Sequence, residues 1–266
     1  MILRNPGDAT LGFEYVSVEE AIGRDGLRMV VVGGVPSAWG EAAKGLFHIE
    51  GIAWVAVRLV YDSEALLQWA GERSGPVAVY GKEAPRSGWR EILLLAERLA
   101  PAARLLPSDP QAREQVLTLA STLCDKGGLS WTRRLQLVHA GLLGQPGFNA
   151  RVSAYLAKKY GHDPEAGAAA GAKVVEMLGG LAARLKAQHA AGSDYFVGDA
   201  LTAADVYAAT AMALFKPLPQ DVCEMVPATR AAFEALDPAT AAALDPVLLA
   251  HRDMMYARHL ALPLSL

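Results

Sequence analysis

The hydrophobic period of this 266-residue chain changes near residue 106, and that change constrains the fold more than any other feature. Before it, short apolar runs alternate with helical spacings. Leu27-Arg28-Met29-Val30-Val31-Val32, closed by Gly33-Gly34, and Ala53 to Val60 have the length and β-branched content of buried strands. Between them Trp39, Ala42, Leu46 and Ile49 recur at intervals of three, four and three, which places them on one face of a helix. Strand, helix, strand over about thirty residues is a βαβ unit with parallel strands. Val77 to Tyr80 offers a third strand directly after Gly75-Pro76, and Trp89, Ile92, Leu93 and Ala96 mark a helix after it.

Beyond residue 106 the apolar positions recur about every 3.6 residues. Val116, Leu119, Ala120 and Leu123 begin one helix, Val174, Leu178, Leu181 and Leu185 mark another, and Val206, Thr210 and Ala213 a third. The Ala/Gly stretch 166–172 sits inside this pattern and reads as close helix packing. Leu106-Pro107-Ser108-Asp109-Pro110 is the expected boundary, because proline cannot continue a helix. The expectation is an α/β domain over 27–105, a linker over 106–110 and an all-helical domain over 111–266. Residues 1–26 form an extension, in which Ser17-Val18-Glu19-Glu20 reads as the capping box of a short helix.

Charge excludes some functions. The 25 Lys+Arg against 28 Asp+Glu give a net charge of −3, which disfavours binding to nucleic acid or an anionic membrane surface, since that needs clustered cations. Cys124 and Cys223 stand far apart, which excludes a disulfide framework and a zinc ribbon and points to the cytoplasm. No apolar run approaches the roughly 20 residues of a spanning helix, and the first ten residues lack the apolar core of a signal peptide. The dinucleotide fingerprint, the phosphate loop, H-E-x-x-H and the G-x-S-x-G elbow are all missing, and the six His are scattered.

The clearest local motif is Gly198-Asp199-Ala200-Leu201-Thr202-Ala203-Ala204-Asp205-Val206. With Thr202 as N-cap, its hydroxyl is expected to accept from the amide of Asp205, whose carboxylate returns to the amide of Thr202. Leu201 and Val206 take the two positions of a hydrophobic staple. So apolar a helix belongs in the middle of the helical half, and the role of Asp205 is structural.

A βαβ half, a strand entered through a proline, a proline-rich link and a buried helix opening with G-x-x-x-T-x-A-D together resemble the glutathione transferase superfamily, from about Leu27 to the last helices. The resemblance implies a thioredoxin-like N-terminal domain followed by an all-α helical-bundle domain. It also implies glutathione as co-substrate, a small apolar electrophile against the helical wall, and a homodimer. Members hold a Ser, Tyr or Cys after the first strand to stabilise the glutathione thiolate, because a free thiol with a pKa of about 8.5 is mostly protonated at neutral pH.

Carried over residue by residue, the resemblance is uneven. In loops built as Ser-Pro or Cys-Pro the active residue precedes the proline; here Val35 precedes Pro36 and can do no such chemistry. Ser37 is the hydroxyl close by, and its other reading is the N-cap of the following helix. Gly75-Pro76 resembles the cis-proline whose preceding backbone pairs with the cysteinyl part of glutathione; the alternative is a trans proline at a strand start. Arg86-Ser87 stands where members have Glu-Ser or Gln-Ser at a helix start. Ser87 matches the contact to the γ-glutamyl carboxylate, while Arg86 either pairs with a carboxylate or is a solvated surface residue. Trp131, with Cys124, Arg133 and Arg134, comes from the region facing the substrate cleft; the other reading is core packing for Cys124 and Trp131 and a solvated turn for the Arg pair, and Tyr155 and Tyr160 are further candidates. Two functions follow: a glutathione transferase, or a non-catalytic relative that binds a ligand or protein partner, which Val35 and Arg86 favour.

Overall fold

The computed structural model describes residues 13–100 and 105–266. Its first half runs β1 (Phe13–Val16), α1 (Val18–Gly23), β2 (Leu27–Val31), α2 (Ala38–Ile49), β3 (Trp54–Arg58), α3 (Glu64–Ala70), β4 (Val77–Tyr80) and α4 (Trp89–Leu99). The strands form one sheet in the order β1-β3-β2-β4. β2 pairs in parallel with β3, Leu27 against Trp54 and Val31 against Arg58, so the expected βαβ unit is present. β4 returns antiparallel to β2.

Alternation along each strand sorts side chains between two layers. Leu27, Met29 and Val31 of β2 and Ala56 of β3 face α2 and α4, within a core that continues into the helical half. Val30, Val57 and Val77 face the other way, onto Ala21 of α1 and Leu66 and Ala70 of α3. A central strand covered on both faces reads as an unbroken apolar run, which is why β2 was legible.

The reading of 1–26 as an extension outside the domain is corrected for residues 13–26. β1 is an edge strand of the sheet, parallel to β3 with Phe13 opposite Trp54, and those two rings stack at 4.1 Å. Phe13-Glu14-Tyr15-Val16 is too short for its period to declare itself, and only pairing with β3 makes it a strand. The Ser17 capping box forms as expected, with Glu20 N donating to Ser17 Oγ at 3.1 Å and Ser17 N to Glu20 Oε2 at 2.9 Å. Residues 1–12 of that segment, and 101–104 beside the expected linker, lie outside the described residues.

The second half is helical throughout: α5 (Pro110–Cys124), α6 (Leu129–Leu142), α7 (Ala150–Tyr160), α8 (Pro164–Ala190), α9 (Ala203–Ala211), a tight turn at Met212–Leu214, α10 (Pro227–Glu234), α11 (Pro238–Ala243) and α12 (Pro246–Arg258). Four of these open with Asp-Pro: Asp109, Asp163, Asp237 and Asp245 cap α5, α8, α11 and α12, each followed by proline in the first turn. The aspartate accepts first-turn amides, and proline lacks the amide that would be orphaned there. The proline-rich break at 106–110 is therefore also a helix start. Gly167, in the Ala/Gly stretch of α8, packs so closely that a Cβ would sit 2.5 Å from His139 Nδ1. α9, buried along its whole length, packs against α2, α5 and α12 and joins the two halves. Among the described residues no helix is long and apolar enough to cross a membrane.

One contact in this core works against stability. Glu50 ends α2 only 8 % exposed, and neither carboxylate oxygen has a hydrogen-bond partner among the described residues. Burial first, and then the neighbouring Glu97 carboxylate, raise its pKa from 4.5 to about 8. The folded state thus holds a proton that the unfolded chain releases above pH 4.5, and stability falls as pH rises from there to about 8. Glu50→Gln, neutral and nearly isosteric, is expected to raise stability by about 2–3 kcal/mol at pH 7 and above and to change it little at pH 4. Urea melts of both proteins at pH 4 and pH 8 check this; a gain that is equal at both values would contradict it.

Candidate functional site

A cleft runs between the sheet domain and the helices, holding two adjoining cavities. The larger, about 690 Å³, is walled on one side by Val35, Ser37, Tyr61 and Gly75 and on the other by Arg134 of α6, Tyr155, Lys159 and Tyr160 of α7, and Phe233 of α10. The smaller, about 340 Å³, is lined by Glu72, Pro76, Ser87, Trp89, Cys124 and Trp131. Trp39, Ser74, Gly75, Lys159 and Tyr160 line both.

Ser37 satisfies both of its readings in part. It is the N-cap of α2, its Oγ accepting from Gly40 N at 3.3 Å, and the same side chain lines the larger cavity. The hydroxyl hydrogen has no acceptor among the described residues. Val35 lines this cavity too, with its carbonyl accepting from Ser37 N at 2.9 Å, so the turn is tight. Pro36, which the resemblance places among the glutathione-binding residues, is buried within that turn and outside the lining of either cavity. Trp39 Nε1 donates to the carbonyl of Cys124 at 2.8 Å and ties α2 to α5.

The Gly75-Pro76 bond is cis. Gly75 presses on the end of β2, where a Cβ would lie 3.3 Å from both Val30 O and Val32 N, so a larger residue there would need that backbone to give by a few tenths of an ångström. Ser87 stands at the mouth of α4, whose N-cap Gly88 supplies no side-chain acceptor for the first amides. Ser87 Oγ donates to Glu72 Oε1 at 2.6 Å. Arg86 points elsewhere. Its backbone bridges Ala78 at 2.8 and 2.9 Å, and its guanidinium donates to Glu83 Oε2 at 2.5 Å, away from both cavities. Of its two readings, contact to a ligand carboxylate or a surface residue, the geometry gives Arg86 a carboxylate of this chain, Glu83 three residues back, and Arg98 and Arg86 together hold that carboxyl below its ordinary range.

On the helical side Trp131 lines the smaller cavity and meets Tyr160 edge to face at 4.7 Å. Burial pushes the Cys124 thiol well up, so it is a core thiol at the cavity edge and no nucleophile. Arg133 is corrected from a cleft residue to a core one, its guanidinium donating to the carbonyls of Leu214, Phe233 and Ala235. Arg134, one position on, lines the larger cavity. Three residues escaped the sequence reading: Glu72, Tyr61 and Lys159. Only Lys159 left a trace, in its spacing of four from Tyr155 on one face of α7. Its ammonium sits 5.2 Å over the Tyr61 ring, and burial, then Arg134, lower its pKa from the ordinary 10.5. Among the described residues no cluster of His, Cys, Asp or Glu could hold a metal ion.

Residues 148–236 match the family described as glutathione S-transferase, C-terminal domain. A glutathione transferase family member from Pseudomonas fluorescens, solved with two glutathione bound, is similar over 92 % of this chain and 98 % of its own, at 14 % identity and TM-score 0.61. A glutathione S-transferase domain-containing protein from Marinobacter aquaeolei is similar over 87 % and 98 %, at 15 % identity and TM-score 0.59. A glutathione S-transferase from Methylobacterium radiotolerans, in complex with glutathione sulfonate, is similar over 87 % and 91 %, at 19 % identity and TM-score 0.57. No curated protein sequence matches the chain. Residues 148–236 thus match a glutathione S-transferase C-terminal domain, and the chain as a whole has the two-part fold of solved glutathione transferases.

Proposed function

We propose that the protein is a glutathione transferase in which glutathione lies along the Gly75-Pro76 loop and a small electrophile occupies the larger cavity. The observation that carries this reading is that Ser37, at the N-terminus of α2, and Gly75, before the cis-proline, line one cavity. The first-turn amides of α2 have no partner inside the helix, and with the uncommitted hydroxyl hydrogen of Ser37 they favour an anion at that point. Glu72, held by the Ser87 hydroxyl, suits the ammonium of a γ-glutamyl group, and the uncapped first-turn amides of α4 beside Ser87 suit its carboxylate. Relatives of the same fold solved with glutathione add support. A homodimer working in the cytoplasm belongs to this proposal through the family resemblance.

The second reading, a non-catalytic relative that binds a ligand or protein partner, is favoured by Val35, which offers no donor, and by Arg86, which faces Glu83. The experiment that separates them is a calorimetric titration of glutathione with steady-state turnover of 1-chloro-2,4-dinitrobenzene, for wild type and Ser37→Ala. Loss of one hydrogen bond to an anion is expected to lower turnover about ten- to a hundredfold and to leave glutathione affinity nearly unchanged. Ser37→Ala also removes a helix cap and should lower stability by about 1 kcal/mol, so a thermal melt confirms that it is folded in the assay. Wild type that neither binds millimolar glutathione nor turns over leaves the second reading.

A further inference from the structure

We infer that the larger cavity takes an aromatic carboxylate, with the negative charge of the second substrate held by Arg134 and Lys159. The inference rests on the proposed transferase reading only for the word substrate; the charge preference belongs to the cavity itself. Arg134 and Lys159 are the charged residues among its lining, and none of its lining residues is acidic. Neither has an ion-pair or hydrogen-bond partner among the described residues, and the Nε of Arg134 is closed off from solvent with its donor unmet. The other arginines of the helical core differ. Arg133, Arg184, Arg230 and Arg252 all donate to backbone carbonyls.

Two cations that no carboxylate contacts among the described residues, in a partly dry cavity, are unfavourable until an anion reaches them. Burial, and then Arg134, lower the Lys159 pKa, and Glu72, which opposes them from the smaller cavity that Lys159 also lines, already accepts from Ser87 Oγ. A carboxylate suits this pair because the guanidinium fork accepts it with two parallel bonds. The body of the ligand is set by the walls that hold the cations. Arg134 lies over Phe233 at 5.7 Å and Lys159 over Tyr61 at 5.2 Å, with Tyr155 meeting Tyr61 edge to face at 5.8 Å. Flat apolar rings on both sides of a space of about 690 Å³ fit an aromatic ring system.

The test is calorimetric titration of the full-length protein with 1-naphthoate and with its neutral analogue 1-naphthamide, and the readout is the ratio of the two affinities. Wild type is expected to prefer naphthoate at least about tenfold, and Arg134→Met and Lys159→Met each to bring the ratio toward one while keeping naphthamide affinity. A wild-type ratio near one, a ratio that survives both substitutions, or variants that lose both ligands alike would overturn the inference. Each titration is repeated with glutathione at millimolar concentration. Unchanged naphthoate affinity supports the assignment, whereas displacement gives the two cations to a carboxylate of glutathione and overturns it. Naphthoate binding by a protein that ignores glutathione would leave the charge preference standing and remove only the transferase reading.

Discussion

Asp205→Ala is expected to destabilise the protein by about 4–6 kcal/mol, a large share of the total stability of an ordinary domain. The side chain is completely buried and serves four donors. Oδ2 accepts from Thr202 N at 2.9 Å and from Thr202 Oγ1 at 2.8 Å, while Oδ1 accepts from Phe196 N at 2.8 Å and His251 Nε2 at 3.1 Å. Alanine orphans all four. A buried donor without a partner costs about 1–3 kcal/mol, and partial relaxation keeps the sum below the arithmetic total. The capping box alone would put the loss nearer 1–2 kcal/mol. The larger figure comes from Phe196 and His251, which bring the loop before α9 and the middle of α12 to the same carboxylate. The capping box forms as expected, and the Thr202 hydroxyl in addition donates to Asp205 Oδ2. Denaturant titration checks the value, and an alanine variant within about 1 kcal/mol of wild type would show that water reaches the orphaned groups.

Arg133→Met is expected to cost about 3–5 kcal/mol, because it removes the charge but leaves the acceptors buried. The guanidinium is 1 % exposed and lies over the Phe215 ring at 5.0 Å. It donates to Leu214 O at 3.1 Å, Phe233 O at 3.2 Å, Ala235 O at 2.6 Å and Gln136 Oε1 at 2.7 Å. The three carbonyls lie at or near the ends of the tight turn after α9 and of α10, where helices have no acceptable donors of their own. Burial lowers the Arg133 pKa to about 10, so it remains charged at neutral pH. Methionine fills the volume without donating. Arg133→Lys, which keeps one charge but not the fork, should fall between wild type and methionine in thermal melts. Equal stability of the methionine variant and wild type would show that α10 moves to find other donors.

Arg133 and Arg134 illustrate where a sequence stops being legible. Neighbouring helix residues point about 100° apart, so one can enter the core while the next enters the cleft, and two adjacent arginines give no sign of which is which. Arg86 makes the same point. Its direction is decided by the antiparallel bridge to Ala78 and by a carboxylate three residues back, neither of which follows from its place before Ser87.

The sequence by itself determined what residues within a few positions of one another decide. The βαβ unit, the change to helical period, the caps at Ser17, Ser37 and Thr202 and the tight packing of the Ala/Gly stretch all depend on spacing and on local donors and acceptors. The Asp-Pro starts of four helices belong to the same class. Tertiary structure alone decided the rest: that Phe13–Val16 pairs with β3, that Asp205 gathers donors from 196 and 251, and that Glu72, Tyr61, Arg134 and Lys159 line adjoining parts of one cleft. The physical reason is that a cavity is space left between packed surfaces, and the charges around it are set by which distant segments meet there, so no local period carries the information.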